Sequence, residues 1–266
     1  MKLRAPHVIL ILAALLVSSL AATPASAKSG GSSDPLPTIV LVHGAFASPE
    51  GWDRVVDGLH KDGYQTATPA LAMDSVANDV GIVRSTLDSI PGDKILVGHS
   101  YGGFVITNAA SGRDDVRGLV YTAAYVPDTD ETINSMEAGY TPGTFLSHLV
   151  LAPAGFPFVI DDPQFFPADF AQDLNPKLAA QITAQQRPSS VFIFATPSGP
   201  GSWHNIPSWY AISGADRAID PNLQRFMAER AGSTTVQFDD ASHVGGLTHY
   251  HARFVKLIEE SAAATG

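Results

Sequence analysis

Lys94-Ile-Leu-Val-Gly-His-Ser-Tyr-Gly-Gly103 is the stretch on which the fold turns. Lys94 to Val97 is expected to be a buried strand, and Tyr101 to Ala110 the helix that follows it. Between the two lies Gly98-His99-Ser100-Tyr101-Gly102, a G-x-S-x-G motif. A strand that reverses this sharply into a helix forces strained angles on its central residue, and glycines on either side let neighbouring chain come close. The turn lifts the Ser100 hydroxyl above the carboxyl edge of a sheet, beside a helix N-terminus where developing negative charge is favoured. Ser100 is therefore the candidate nucleophile.

Working outward, strands and helices alternate. Thr38-Ile-Val-Leu-Val42 is a continuous apolar run, as expected of a strand covered on both faces of a parallel sheet. Trp52 to Lys61 fits a helix and Tyr64 to Thr68 a short strand stopped by Pro69. Ser75 to Ile90 carries Val76, Val80, Val83 and Leu87 on one helical face. Val116 to Val126 contains a further strand. After a break the alternation resumes with a strand at Ser208 to Ile212, a helix at Pro221 to Ala231, a strand at Thr234 to Phe238 and a helix at Thr248 to Glu260. This order predicts an α/β fold, a doubly wound and mostly parallel sheet of about six strands with helices on both faces.

The break is itself informative. From Pro127 to Pro207 lie 11 of the 19 prolines and 8 of the 13 phenylalanines, a poor composition for extending a sheet. We expect residues 127–207 to be an inserted cap of short helices and turns, with 38–126 and 208–266 as the core. Phe46, Phe145, Phe156 and Phe158, with Phe165 and Phe166 nearby, are the candidate lining of an apolar pocket, the usual character of a ligand site. At the other end, residues 1–27 have the form of a signal peptide. Lys2 and Arg4 precede the apolar run Val8 to Leu20, and Ala25-Ser26-Ala27 offers a cleavage site after Ala27. That run is shorter than the ~20 residues needed to span a bilayer. A secreted or periplasmic protein is expected, with a Gly/Ser/Pro linker at 28–37 and no membrane span after cleavage.

Composition excludes several classes of function. The chain has no cysteine, which removes disulfides, Cys-ligated metals and a cysteine nucleophile. Lys and Arg total 16 against 26 Asp and Glu, and the net charge of −10 gives no support for nucleic-acid binding. His249-Tyr250-His251 resembles a metal pair, but residues two apart on a helix do not share a face. No metal and no cofactor is expected.

A serine nucleophile needs a base, and the base an orienting acid. His243 follows the last strand in Asp239-Asp-Ala-Ser-His243, at the same sheet edge as Ser100. His99 lies in the turn itself, where its side chain is expected to point away from the nucleophile. Asp216 follows the strand Ser208 to Ile212 and is the first choice for the acid. Asp128 is the topological alternative. Asp220 is a third, though its place before Pro221 suits a helix cap. The strand end Val42-His43-Gly44-Ala45-Phe46 reaches the same edge, so the backbone N–H groups of Ala45 and Tyr101 are candidate oxyanion donors. His43 itself is expected to be structural.

These segments together resemble the α/β-hydrolase superfamily, and more narrowly its small esterase and hydroxynitrile-lyase branch. The resemblance rests on Leu41-Val-His-Gly-Ala45 with Trp52, on the Ser100 turn, on Tyr121-Thr-Ala-Ala-Tyr-Val-Pro-Asp128, on Asp216-Arg-Ala-Ile219 before Pro221, and on Ala241-Ser-His243. It implies the same Ser100, Asp216 and His243 triad, and a cap that roofs the pocket. Lyases of this branch usually carry Thr where this chain has Gly44, and lack His99, which favours the esterase side. The expected activity is cleavage of small to medium hydrophobic carboxylic esters through an acyl-enzyme on Ser100, with a small-molecule ester as the partner. A lyase, lactonase or perhydrolase on the same triad is the alternative, and a hydrolase fold used only for binding is the third reading.

Overall fold

The computed structural model describes residues 35–266, so the expected signal peptide and most of the expected linker lie outside the described residues. In chain order, the first half runs β1 (Thr38–Val42), α1 (Asp53–Lys61), β2 (Thr66–Ala67), α2 (Val76–Ser89), β3 (Lys94–His99), α3 (Tyr101–Ala109) and β4 (Val116–Thr122). There follow α4 (Ile133–Glu137), β5 (Leu149–Leu151), β6 (Phe158–Asp161), α5 (Phe166–Phe170), α6 (Pro176–Ala184) and β7 (Ser189–Ser190). The chain then closes with β8 (Ser208–Ser213), α7 (Pro221–Arg230), β9 (Thr234–Phe238) and α8 (His251–Thr265).

Six of these strands form one parallel sheet in the order β2-β1-β3-β4-β8-β9. Alternation along the strands sorts their apolar side chains onto two faces. Val40, Val42, Leu96 and Leu119 pack with Val83 and Leu87 of α2, Phe104 and Val105 of α3, and Leu223 and Met227 of α7. Ile39, Leu41, Ile95 and Val120 pack on the other side with Val55 and Leu59 of α1 and Phe254 and Ile258 of α8. Each such side chain, fully buried, contributes ~1.5–3 kcal/mol. The sheet therefore sits in the middle of three layers, and its carboxyl edge presents the loops after β1, β3, β8 and β9 together. Helix starts follow local chemistry. The Ser75 hydroxyl accepts from the Asn78 N–H (3.3 Å) to begin α2, and Asp220 accepts from the Asn222 N–H (2.8 Å) in front of Pro221 to begin α7.

Two expected elements are placed differently. The strand expected at Tyr64 to Thr68 pairs only over Thr66–Ala67. The last helix starts at His251 rather than Thr248, because the Tyr250 N–H turns back to the Gly245 carbonyl (2.9 Å) and the Thr248 hydroxyl to that of Val244 (2.8 Å).

None of the strands between β4 and β8 joins the main sheet. β5, β6 and β7 make a separate antiparallel sheet in that order. Short helices and turns surround it as expected. The small sheet was not foreseen, since strands of three, four and two residues are too short to display an alternation. Backbone hydrogen bonds tie this segment to the core loops: the Arg187 N–H donates to the Phe46 carbonyl (3.1 Å), and that of Ser190 to the Met73 carbonyl (2.8 Å).

Candidate active site

Ser100 sits between β3 and α3 with φ 56° and ψ −126°, a conformation costing ~1–3 kcal/mol that persists only where the surroundings enforce it. The enforcement is visible. Its N–H donates to the Ala123 carbonyl (3.1 Å), and its own carbonyl accepts from Gly103 (3.0 Å) and Tyr125 (3.2 Å). A Cβ at Gly102 would run into the Val42 carbonyl, and one at Gly44 would lie 2.7 Å from the Ser100 Cβ. The strand end after β1 and the Ser100 turn thus touch without side chains between them.

His243, on the loop after β9, places Nδ1 2.8 Å from Asp216 Oδ2. Both side chains are buried. Asp216 follows β8 and is held at both oxygens. Oδ1 accepts from the N–H groups of Ala218 (2.8 Å) and Ile219 (3.1 Å), while Oδ2 also accepts from Gln224 Nε2 (2.8 Å). A carboxylate on Nδ1 keeps the proton there and leaves Nε2 as the free acceptor. Ser100 and His243 line one cavity with Ala45 and Tyr101. Among the described residues, neither the Ala45 N–H nor the Tyr101 N–H donates to another group. Tyr101 opens α3, where a helix has no internal acceptor to offer.

Residues 39–257 match the alpha/beta hydrolase family. The chain belongs to that family. It is 27% identical over 220 residues to the alpha/beta hydrolase nvfD of Aspergillus novofumigatus, covering 73% of this chain and 84% of that one. It is 34% identical over 111 residues to a carbendazim hydrolyzing esterase of Nocardioides sp., covering 36% of this chain and 46% of that one. The crystal structure of polyneuridine aldehyde esterase superimposes with a TM-score of 0.75 at 18% identity, covering 85% of this chain and all of that one (100%). The resemblance to the esterase side of the family, read from motifs, agrees with these relatives.

Within this alpha/beta hydrolase the other aspartates go elsewhere. Asp128 faces the His204 Nε2 (3.1 Å) and accepts from the Thr129 N–H (2.8 Å), with no hydrogen bond to His243 among the described residues. Asp220 caps α7 and accepts from the Thr141 N–H (2.9 Å). His43 is structural: Nε2 accepts from the Leu71 N–H (3.0 Å), so Nδ1 donates to the Gly44 carbonyl (2.9 Å). Burial pushes its pKa down to about 4 and keeps it neutral.

His99 turns toward the His243 loop and is not among the residues that line the Ser100 cavity. Its ring lies 4.6 Å from that of His243, and its Nε2 donates to the His243 carbonyl (3.0 Å). Burial, with the neighbouring His243 second, holds it well below the usual imidazole range, so it serves as a neutral donor that fixes the His243 loop.

The pocket lining is corrected in part. Phe46 and Phe145 line the Ser100 cavity, with Phe170 and Phe194 beside them. Phe170 also meets the His243 ring edge-on at 5.4 Å. Phe156 is 70% exposed, because it occupies the turn joining β5 to β6, where it meets the Phe192 ring edge-on. Phe158 pairs with Ser190 inside the small sheet and lines neither cavity near Ser100. Periodicity has no means of separating rings at a hairpin tip from rings at a pocket wall. Phe166 joins Phe46 and Phe170 in a second cavity of about 50 Å³ running toward Trp52 and Leu247. The cavity at Ser100 is only about 10 Å³, room for about one water. A larger cleft of about 930 Å³ between Arg113 and Asn205 opens at the amino edge of the sheet, away from this chemistry.

Three contributors escaped the sequence reading. Gln224 is buried and bridges Asp216 Oδ2, the Ile219 carbonyl (3.0 Å) and the Ser213 N–H (3.0 Å). The Ser189 hydroxyl accepts from the Phe46 N–H (2.9 Å) and so fixes the loop carrying Ala45. The Tyr125 hydroxyl donates to Glu137 (2.5 Å) at the cavity wall, where burial raises the Glu137 carboxyl. Gln224 and Ser189 lie in no recognisable motif, and Tyr125, though inside Tyr121–Asp128, shows nothing there of its contact with Glu137.

Proposed function

We propose that this hydrolase is a serine esterase that cleaves small to medium hydrophobic carboxylic esters, with Ser100 as nucleophile, His243 as base and Asp216 as orienting acid. The observation that carries the reading is the 2.8 Å contact of His243 Nδ1 with a carboxylate that three other donors already hold still. A ring so fixed presents Nε2 to the cavity it shares with Ser100.

Ser100 Oγ attacks the ester carbonyl while Nε2 takes its proton. The oxygen of the tetrahedral intermediate takes up negative charge between the N–H groups of Ala45 and Tyr101, where one such donor is typically worth ~3–4 kcal/mol. Nε2 then returns the proton to the departing alcohol, and water cleaves the acyl-enzyme by the same route reversed. Neither Lys nor Arg lines the Ser100 cavity, which suits a neutral apolar ester. In this reading residues 127–207 act as a cap, whose Phe145, Phe170 and Phe194 part from Phe46 to admit substrate to the small cavity at Ser100. Two related enzymes named as esterases support the ester class.

A panel of p-nitrophenyl esters, run beside a fluorophosphonate label, tests the reading. Turnover together with covalent labelling at Ser100 is expected. Labelling without turnover of any ester moves the site to lyase chemistry, and absence of both removes the esterase reading. We also propose that residues 1–27 direct export. Amino-terminal sequencing of protein recovered from outside the cytoplasm should begin at Lys28.

A further inference from the structure

We infer a divalent-cation site in the segment between β4 and β8, formed by His148, Asp161 and Asp169, which the spacing of these residues in sequence does not suggest. His148 follows the turn Thr144–Ser147, Asp161 ends β6, and Asp169 lies in α5. One ligand atom from each comes within 4.8 Å of the others. The inference is independent of the esterase reading.

Asp161 is what points to a cation. Its side chain is 0% exposed, and among the described residues neither carboxylate oxygen has a hydrogen-bond partner. Donors that could have reached it are used elsewhere. The Thr144 hydroxyl (2.5 Å) and His148 Nδ1 (2.6 Å) both serve Asp169, and the Asp162 N–H goes to the His148 carbonyl (3.0 Å). A buried carboxylate without a donor is strongly disfavoured unless it is neutralised or coordinates a metal. Here a second carboxylate and an imidazole stand beside it.

Two carboxylate oxygens and one imidazole nitrogen suit a borderline ion such as Zn²⁺ or Mn²⁺, rather than Ca²⁺ with its six to eight oxygens. Ligand atoms about 2.0–2.2 Å from a common tetrahedral ion stand about 3.3–3.6 Å from one another. The His148–Asp169 contact must therefore open by roughly 1 Å as the cation enters, and the proton shared there leaves to solvent. The ion would join β6, α5 and the Thr144 turn. Thr144 also donates its N–H to the Arg217 carbonyl (2.9 Å), and Phe170 follows Asp169 directly, so the joint backs the aromatic wall over His243. No step at Ser100 passes through it.

The test is equilibrium dialysis of the tag-free full chain against Zn²⁺ and, separately, Mn²⁺, with stoichiometry by mass spectrometry of the metal. One equivalent of at least one of the two ions is expected for the wild type, with the Kd weakened at least tenfold in Asp161→Asn and in His148→Gln. Folding is followed by thermal melting. Metal-free Asp161→Asn should melt at or above the wild type, because it loses a buried unpaired charge. The bound ion should raise the melting temperature of the wild type but not of this variant. A wild type that takes up neither ion, or equal uptake in both variants, overturns the site. So does uptake abolished by His249→Gln with His251→Gln, which would place the ion on those imidazoles instead.

Discussion

The carboxyl edge of the main sheet and the segment between β4 and β8 solve the same problem, placing a side chain, by different means. At the sheet edge, position comes from ladders. Val42 pairs with Gly98, Gly98 with Tyr121, and Ser213 with Phe238, so the loops carrying Ala45, Ser100, Asp216 and His243 leave from fixed points. In the segment, three short strands and a set of rings at centroid distances of 4.8–6.3 Å locate one another mainly by packing. Ladders tolerate almost no displacement, whereas rings can slide and repack. The proposed function puts chemistry on the first and selectivity on the second.

Substitutions should separate the two regions by magnitude. Ser100→Ala should lower kcat by several orders of magnitude and abolish fluorophosphonate labelling, with an unchanged far-UV circular dichroism spectrum. Activity retained within about tenfold would remove the serine mechanism. Next in size, Asp216→Asn should cost at least about a hundredfold in kcat, since it offers His243 the wrong tautomer. Asp220→Asn should stay within about twofold because Asn caps a helix as well as Asp does. Were Asp128→Asn the most damaging of the three, the acid would follow β4 and the comparison between the edges would have to be redrawn.

A pH experiment probes the rigidity of the edge without touching the triad. His43 titrates at about 4 in the fold and near ~6.5 in an unfolded chain. The unfolded state therefore takes up the proton first. Its contribution is complete above about pH 6.5 and drains as pH falls toward 4, amounting to about 3 kcal/mol. Urea unfolding of the wild type should lose that much more than His43→Gln over this interval. Parallel profiles would mean that His43 is not held as an acceptor for Leu71.

The smallest effects belong to the rings. Phe145→Ala and Phe170→Ala should each change the butyrate-to-octanoate ratio of kcat/KM by about threefold or more, the scale of one methylene in an apolar pocket. Phe156→Ala, at the hairpin tip, should leave that ratio alone. If Phe156→Ala shifts it as strongly, the hairpin closes over the pocket in solution and the packing of the segment differs from that seen here.

Legibility followed the same division. Ser100, His243 and the strand ends were readable because a buried parallel strand writes itself as an apolar run, and the loop after it must then be at the sheet edge. Asp216 was readable only as the best of three, since sequence distance from a strand end says little about where a carboxylate turns. The contact His99 makes was hidden for a related reason. A histidine inside a tight turn has two neighbours in sequence, but its decisive neighbour, His243, lies on another strand's loop. Gln224 and Ser189 act through single hydrogen bonds made at long range, and such contacts leave no local pattern. In the segment between β4 and β8, the composition disclosed an aromatic region, but not which rings face inward.

The placement of β8 beside β4 has a consequence for how the chain assembles. Strands β2, β1, β3 and β4 and their crossover helices are contiguous in sequence, so that half can pair as soon as it is synthesised. The free side of β4 must wait until residues 123–207 have been made and the loop they form has closed. Loop closure grows only slowly with length, but non-local parallel pairing is slow to form. In that interval Leu119-Val-Tyr-Thr122 is an unpaired apolar edge, the kind of surface on which another chain can add a strand. Losses during expression or refolding should therefore track the time spent before β8 docks, and a charge introduced on β8 should aggravate them more than the same charge on β9, which forms the outer edge.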